Sequence, residues 1–274
     1  MTATTTRPAA RRVEGRAGSL LNLRYTGLEL VRNLRMFTTL FFMIVLPATM
    51  FLIFGAMQEF SDLELESGRG NVAAQIMLSM AAYGAITATV GTAGAAAVEL
   101  QQGWGRQLGL TPFRRGGYVL SKTIVALILA VLPILAVFLL GILTTARMDA
   151  WIWPVATGLI LLGSVVFALY GLAFGLAFRS ESAVGAASGL IVILMFLGNA
   201  FMPLSGFLLD MSVFTPVWGV MQLALWPLNE GVMYTMDAGP VTYALWQPLL
   251  NILVWAAIFA VLCLLGMRRG TSRR

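Results

Sequence analysis

The sequence has no histidine and one cysteine, Cys263, which sits inside an apolar run near the C-terminus. A disulfide within the chain is impossible, and so is a metal site built from His and Cys. Charge is scarce as well: Asp, Glu, Lys and Arg make up 11% of residues, against about 25% in soluble domains. No long apolar run carries a charged residue near its middle. Membrane enzymes and ion-driven carriers usually need such groups, as carboxylate pairs, nucleophile–base pairs or ion-loading sites.

Apolar residues are what the chain has in excess, at 59% where soluble domains hold about 45–50%. No soluble core buries that surplus, whereas lipid covers it. Six uncharged segments approach or exceed the roughly 20 residues needed to cross a bilayer, near residues 36–57, 71–98, 123–146, 151–178, 183–202 and 241–266. The first begins only after residue 35 and lacks a small-residue cleavage signal, so it reads as a retained span. The expected fold class is an all-α polytopic membrane protein with six transmembrane helices.

Of the 18 Lys and Arg residues, all but Arg69 and Arg147 fall on one side of these segments. The opposite side holds the acids Glu59, Asp62, Glu64, Glu66, Asp149, Asp210, Glu230 and Asp237. Short loops rich in Lys and Arg stay in the cytoplasm, so both termini are expected inside a cytoplasmic (inner) cell membrane. The net charge of +6 then belongs to juxtamembrane residues meeting anionic membrane lipids, and nucleic acid is not expected as a partner.

Residues 1–18 lack apolar periodicity and are expected to be a disordered tail. From Ser19 onward Leu20, Leu23, Gly27, Leu30, Val31 and Leu34 recur at helical spacing, with Asn22, Thr26, Glu29, Arg32 and Asn33 opposite. This predicts an amphipathic helix lying in the membrane plane, with Arg24, Arg32 and Arg35 at lipid head groups. Small residues repeat every fourth position at Gly84, Ala88, Thr92 and Ala96, and as Gly171-x-x-x-Gly175 and Gly185-x-x-x-Gly189, spacings that let helices approach closely. Met211–Leu228 is uncharged and nominally long enough to cross. Pro203 precedes it, Pro216 and Pro227 interrupt it, and a seventh crossing would put the C-terminal arginines outside, so helices half-inserted before the sixth span are expected.

Gly116-Gly-Tyr-Val-Leu-Ser-Lys122-Thr123 nearly matches a phosphate-binding loop. Ser121 occupies the second required glycine position, and the segment runs into a span rather than following a buried strand. Lys122 is expected to anchor at the interface by snorkelling. The longest cytoplasmic loop places Trp104, Leu108, Leu110 and Phe113 beside Glu99, Arg106, Arg114 and Arg115. Apolar residues rimmed by charge outside a membrane mark a partner surface, the simpler alternative being an interfacial anchor.

In order along the chain these features resemble type-2 ATP-binding-cassette (ABC) exporter permeases. The helix before span one is similar to their elbow helix, here with Leu23, Leu30, Arg32, Leu34 and Arg35. Glu99, the segment after it, the Thr111-Pro112 step, Arg114, Tyr118 and Lys122 resemble the short coupling helix between spans two and three, with its flanks. The resemblance covers a transmembrane domain at 19–267, followed by a basic tail at 268–274. It looks most like the drug-resistance branch, typified by daunorubicin-exporter permeases, because the loops are short.

The resemblance implies a permease subunit that is not itself an enzyme and carries no cofactor. A second permease copy (homodimer or heterodimer) completes the path, and separate cytoplasmic ATPase subunits bind ATP and Mg. It implies ATPase coupling through Glu99, Trp104, Arg106, Leu108, Leu110, Thr111, Pro112 and Phe113. It places the substrate path along spans two and five, at Tyr83, Thr87, Phe196, Asn199 and Met202. Spans without buried charge suit amphiphilic drugs or lipids. The rival readings are an ATP-independent carrier or channel, a polysaccharide or glycolipid exporter permease, and a membrane scaffold without transport.

Overall fold

Asn22 starts the first helix, because its side-chain oxygen accepts the Tyr25 N–H at 3.1 Å and so satisfies a donor left over at the helix start. The structure is a computed structural model that describes residues 22–104, 115–235 and 239–271. Its helices are α1 (Leu23–Leu34), α2 (Phe37–Ala56), α3 (Val72–Glu99), α4 (Arg115–Leu143), α5 (Ile152–Phe178), α6 (Glu181–Leu197), α7 (Gly206–Ser212), α8 (Pro216–Asn229) and α9 (Trp246–Thr271). Two short antiparallel strands, β1 (Val232–Met233) and β2 (Val241–Thr242), pair before α9.

The molecule is an all-α membrane protein. Five helices are long and apolar enough to cross a bilayer, namely α2, α3, α4, α5 and α9. The bent pair α7–α8, with an 83° angle between its helices, is a sixth candidate by composition, while α6, at 17 residues, is shorter. The expected third span starts at 123, but its helix begins at Arg115. The fifth was expected to reach 202 and its helix ends at Leu197; the sixth was expected from 241 and its helix begins at Trp246. Residues 241–242 pair as a strand instead, and Asn199 turns the chain with φ 56°. The near-match to a phosphate loop continues into α4 as helix, with no strand before it among the described residues.

The central helix is α3, buried along most of its length between α4 and α5. Its alanines, glycines and threonines let backbones meet. A Cβ at Gly171 would strike the backbone of Val90, and one at Gly175 the backbone of Gly94. At the acid-rich end Asn71, 1% exposed, caps α3 by accepting the Ala74 N–H at 3.1 Å and joins the 143–149 turn by donating to the Thr145 carbonyl at 2.6 Å. By contrast α2 lies mostly on the surface and contains two π-helical turns, Phe41–Val45 and Leu52–Ala56.

The expected interruptions at Pro216 and Pro227 prove gentler. Pro216 opens α8 and Pro227 falls in its last turn, so the helix runs unbroken for 14 residues. Nearly every side chain of α8 is buried. Its end, Leu228, lies against Gly70 just before α3. The α7–α8 corner is held by Asn251, which donates to the Val213 and Thr215 carbonyls at 2.7 and 3.1 Å, and by Trp255, which donates to the Phe214 carbonyl at 3.0 Å.

Candidate functional site

Four of this chain's few charges, Glu29, Arg32, Glu99 and Lys122, meet at one end of the bundle. Helix α1 turns Thr26 and Glu29 into the protein, while Leu23 is 75% exposed and Leu28, Val31 and Leu34 are also exposed. Its polar face packs on protein and most of its apolar face is left uncovered. Among the described residues of the expected apolar face, Leu30 alone packs against the core. Arg32, expected at head groups, remains half-exposed and bonds the Glu99 carboxylate through its guanidinium at 2.5 Å. Arg35 follows as the C-cap and is exposed.

Glu99, the last residue of α3, is the hub. One carboxylate oxygen accepts from Arg32; the other accepts from the Lys122 ammonium at 2.7 Å and the Tyr118 hydroxyl at 2.9 Å. Lys122 also pairs with Glu29 at 2.6 Å, and Asn33 donates to that carboxylate at 3.3 Å. The Lys122 ammonium lies 5.6 Å above the Tyr118 ring, which meets the Tyr25 ring at 6.1 Å. Two carboxylates and two cations thus balance, with Lys122 and Glu29 buried, Glu99 partly buried and Arg32 on the open rim.

This arrangement corrects the sequence expectation for Lys122. It is 5% exposed and does not snorkel. A buried charge is tolerated only when paired and hydrogen-bonded, and here two carboxylates meet that need. Burial opposes the charge on Arg32, yet the hydrogen bond and field of Glu99 raise its pKa above the ordinary value. Burial and the adjacent Glu99 charge push the Tyr118 phenol far above its usual range, so it acts as a hydrogen-bond donor.

The cluster grips both flanks of the loop between α3 and α4. After Glu99 the chain continues through Leu100–Trp104, turning at Gly103 with φ 105°. Gln101 donates to the Gly175 and Leu176 carbonyls at 3.3 and 3.0 Å, fastening this flank to the end of α5. Of the expected coupling residues, Glu99 belongs to the cluster. Trp104 is placed by its backbone, and Arg106, Leu108, Leu110, Thr111, Pro112 and Phe113 lie outside the described residues. Tyr25 and Glu29 were missed as cluster members. The available signal was an acid on α1 among so few charges, with Tyr118 and Lys122 one helical turn apart.

The expected path residues are only partly together. Tyr83 and Thr87 are buried within the chain, and the Thr87 hydroxyl donates to the Tyr83 carbonyl at 2.9 Å. Phe201 stacks edgewise on both Tyr83 and Phe196, with centroids 5.4 and 5.1 Å apart. Phe196 and Met202 are exposed. Asn199 departs from the expectation of a helical lining residue: it occupies a left-handed turn and accepts the Leu204 N–H at 2.5 Å. Among the described residues no group of three or more Asp, Glu or Cys side chains forms a metal-ligand set. No family model matches the chain, and no curated protein matches it either.

Proposed function

We propose that this chain is the permease subunit of an ATP-driven exporter of the type-2 ABC kind, working with separate cytoplasmic ATPase subunits and a second permease copy. The observation that carries the reading is the charge cluster, which locks α1 and the ends of α3 and α4 around one loop. A loop with Leu108, Leu110 and Phe113 suits a partner's cleft, and a grip on both its flanks passes force into the bundle. This chain holds no energy source in that scheme. Different ATPase affinities for inward- and outward-facing states supply the bias.

In this reading six spans cross, with α6 as the fifth. The α7–α8 corner lies beside Asn251 and Trp255, hence roughly 8–14 Å below the start of α9, and α8 returns to the acid-rich surface near Gly70. That course is a re-entrant one, shielded by protein. Helix α1 serves as the elbow helix, its apolar face in lipid at the inner surface of the cell membrane. The cargo is an amphiphilic drug or lipid. Phe196 and Met202 meet it first, and Phe201 covers Tyr83 and Thr87 until it swings aside. The exposed apolar faces of α2 and α6 receive the second copy.

The test is purification of the tagged chain from its native membranes with its ATPase. ATPase activity should accompany wild type and fall severalfold for Leu110→Asp and Phe113→Asp, because each would bury an unpaired charge in the partner's cleft. Membrane insertion of both variants should be normal. Wild type purified without any ATPase, or retention unaffected by both changes, sinks the proposal.

A further inference from the structure

Helices α5 and α9 end together at the Glu99 end of the bundle, where Gly266 lies against Leu176. Between them runs a groove of about 620 Å³. Its floor, formed by Tyr170, Ala173, Leu176 and Phe259, is buried, whereas its sides at Phe178, Leu262 and Leu265 are exposed. Aromatic rings follow one another along α5, Tyr170 to Phe174 at 4.7 Å and Phe174 to Phe178 at 5.7 Å, and Phe259 closes the deep end 5.4 Å from Tyr170. From Tyr170 to Arg179 the helix rises roughly 14 Å, about half of a ~30 Å hydrocarbon core and so the depth of one leaflet.

At the mouth stands Arg179, exposed, in a left-handed turn (φ 54°) whose N–H bonds the Gly175 carbonyl at 3.1 Å. Among the described residues it forms no ion pair, although Glu181 follows closely in sequence. We propose that this groove holds an acyl chain of an anionic phospholipid whose phosphate pairs with Arg179. The dimensions fit a chain entering from one membrane surface, and the open sides face the lipid that supplies it. A guanidinium matches phosphate geometry with two parallel hydrogen bonds. The bound lipid wedges α5 against α9 beside the Gly266 contact. This inference needs only the membrane setting and does not rest on the transport reading.

Native mass spectrometry of the full chain, released from detergent after incubation with phosphatidylglycerol or phosphatidylcholine, tests it. Wild type should retain phosphatidylglycerol in preference, and Arg179→Gln should cut that preference by about threefold or more, the scale of one partly exposed ion pair. Ala177→Phe and Leu265→Trp, which fill the groove from its two walls, should lower retention of both lipids, each variant first shown to melt as wild type does. Millimolar inorganic phosphate should displace nothing. An unchanged preference in Arg179→Gln places the headgroup elsewhere, unchanged retention in whichever filled variant folds removes the chain from the groove, and displacement by free phosphate reduces the site to an anion site. Any one of these results overturns the proposal.

Discussion

Glu99 and Lys122 face each other at 2.7 Å from opposite flanks of the loop joining α3 to α4, with Glu29 of α1 bonded to the same ammonium at 2.6 Å. One lysine therefore fastens three helices. Because it is buried, the contact is sensitive to loss of either partner.

Replacing Lys122 by Met should cost about 3–5 kcal/mol, since the buried Glu29 carboxylate loses its close cation while Glu99 keeps Arg32. Adding Glu29→Gln should restore part of the loss, because one orphan charge disappears; the coupling is read from the double-mutant cycle. Cys263, buried and the only cysteine, is a built-in reporter of melting with a thiol-reactive dye. A Lys122→Met chain that melts with wild type would mean the ammonium is solvated after all.

The placement of the ends is checked by labelling. Single cysteines at Glu64 and Ala238, in a Cys263→Ser background, should react with impermeant reagents in intact cells. Cysteines at Arg115 and Ser272 should not. Reaction at Ser272 from outside would turn α6 or the α7–α8 pair into an additional crossing or a missing one.

Two glycine pairs of identical spacing should behave differently. At Gly171 and Gly175 a new Cβ meets α3 backbone, which cannot yield, while at Gly185 and Gly189 it meets open space within this chain. Gly171→Ala and Gly175→Ala should each lose about 1–3 kcal/mol by overpacking. Gly185→Ala and Gly189→Ala should match or slightly exceed wild-type melting, Ala being the better helix former. Equal effects at both pairs would refute the close contact of α3 and α5.

Phe196 and Asn199 should separate as well. Phe196→Ala, at the exposed end of the Phe196–Phe201–Tyr83 stack, should change which compounds stimulate ATPase activity while leaving the basal rate intact. Asn199→Ala should instead lower stability by about 1–2 kcal/mol through its left-handed backbone, besides losing the bond to the Leu204 N–H, and Asn199→Gly should recover the backbone part only. A changed compound profile in Asn199→Gly at wild-type stability would return Asn199 to the substrate path.

The helices were legible because their cause is local. Uncharged runs of bilayer length follow from transfer free energies that every residue carries with it, so the cores of the long helices could be read from composition. The helix at 23–34 was equally legible from its 3.6-residue period. What that period left open was which face met what: a membrane-plane helix and a protein-bound helix share one pattern, and only the positions of Glu99 and Lys122 turn the Glu29 face inward. Lys122 was ambiguous for the same reason, since a lysine at a span end snorkels or pairs according to whether a carboxylate from elsewhere reaches it. Gly171-x-x-x-Gly175 and Gly185-x-x-x-Gly189 are the same words in sequence, and the neighbouring backbone alone distinguishes contact from open space. Sequence by itself determined an all-α membrane chain and the cores of its long apolar helices. Tertiary structure decided the buried charge cluster, the sheltered α7–α8 corner and the groove at Arg179, because each depends on groups distant in the chain meeting within a few ångströms, where hydrogen bonding, desolvation and close packing act.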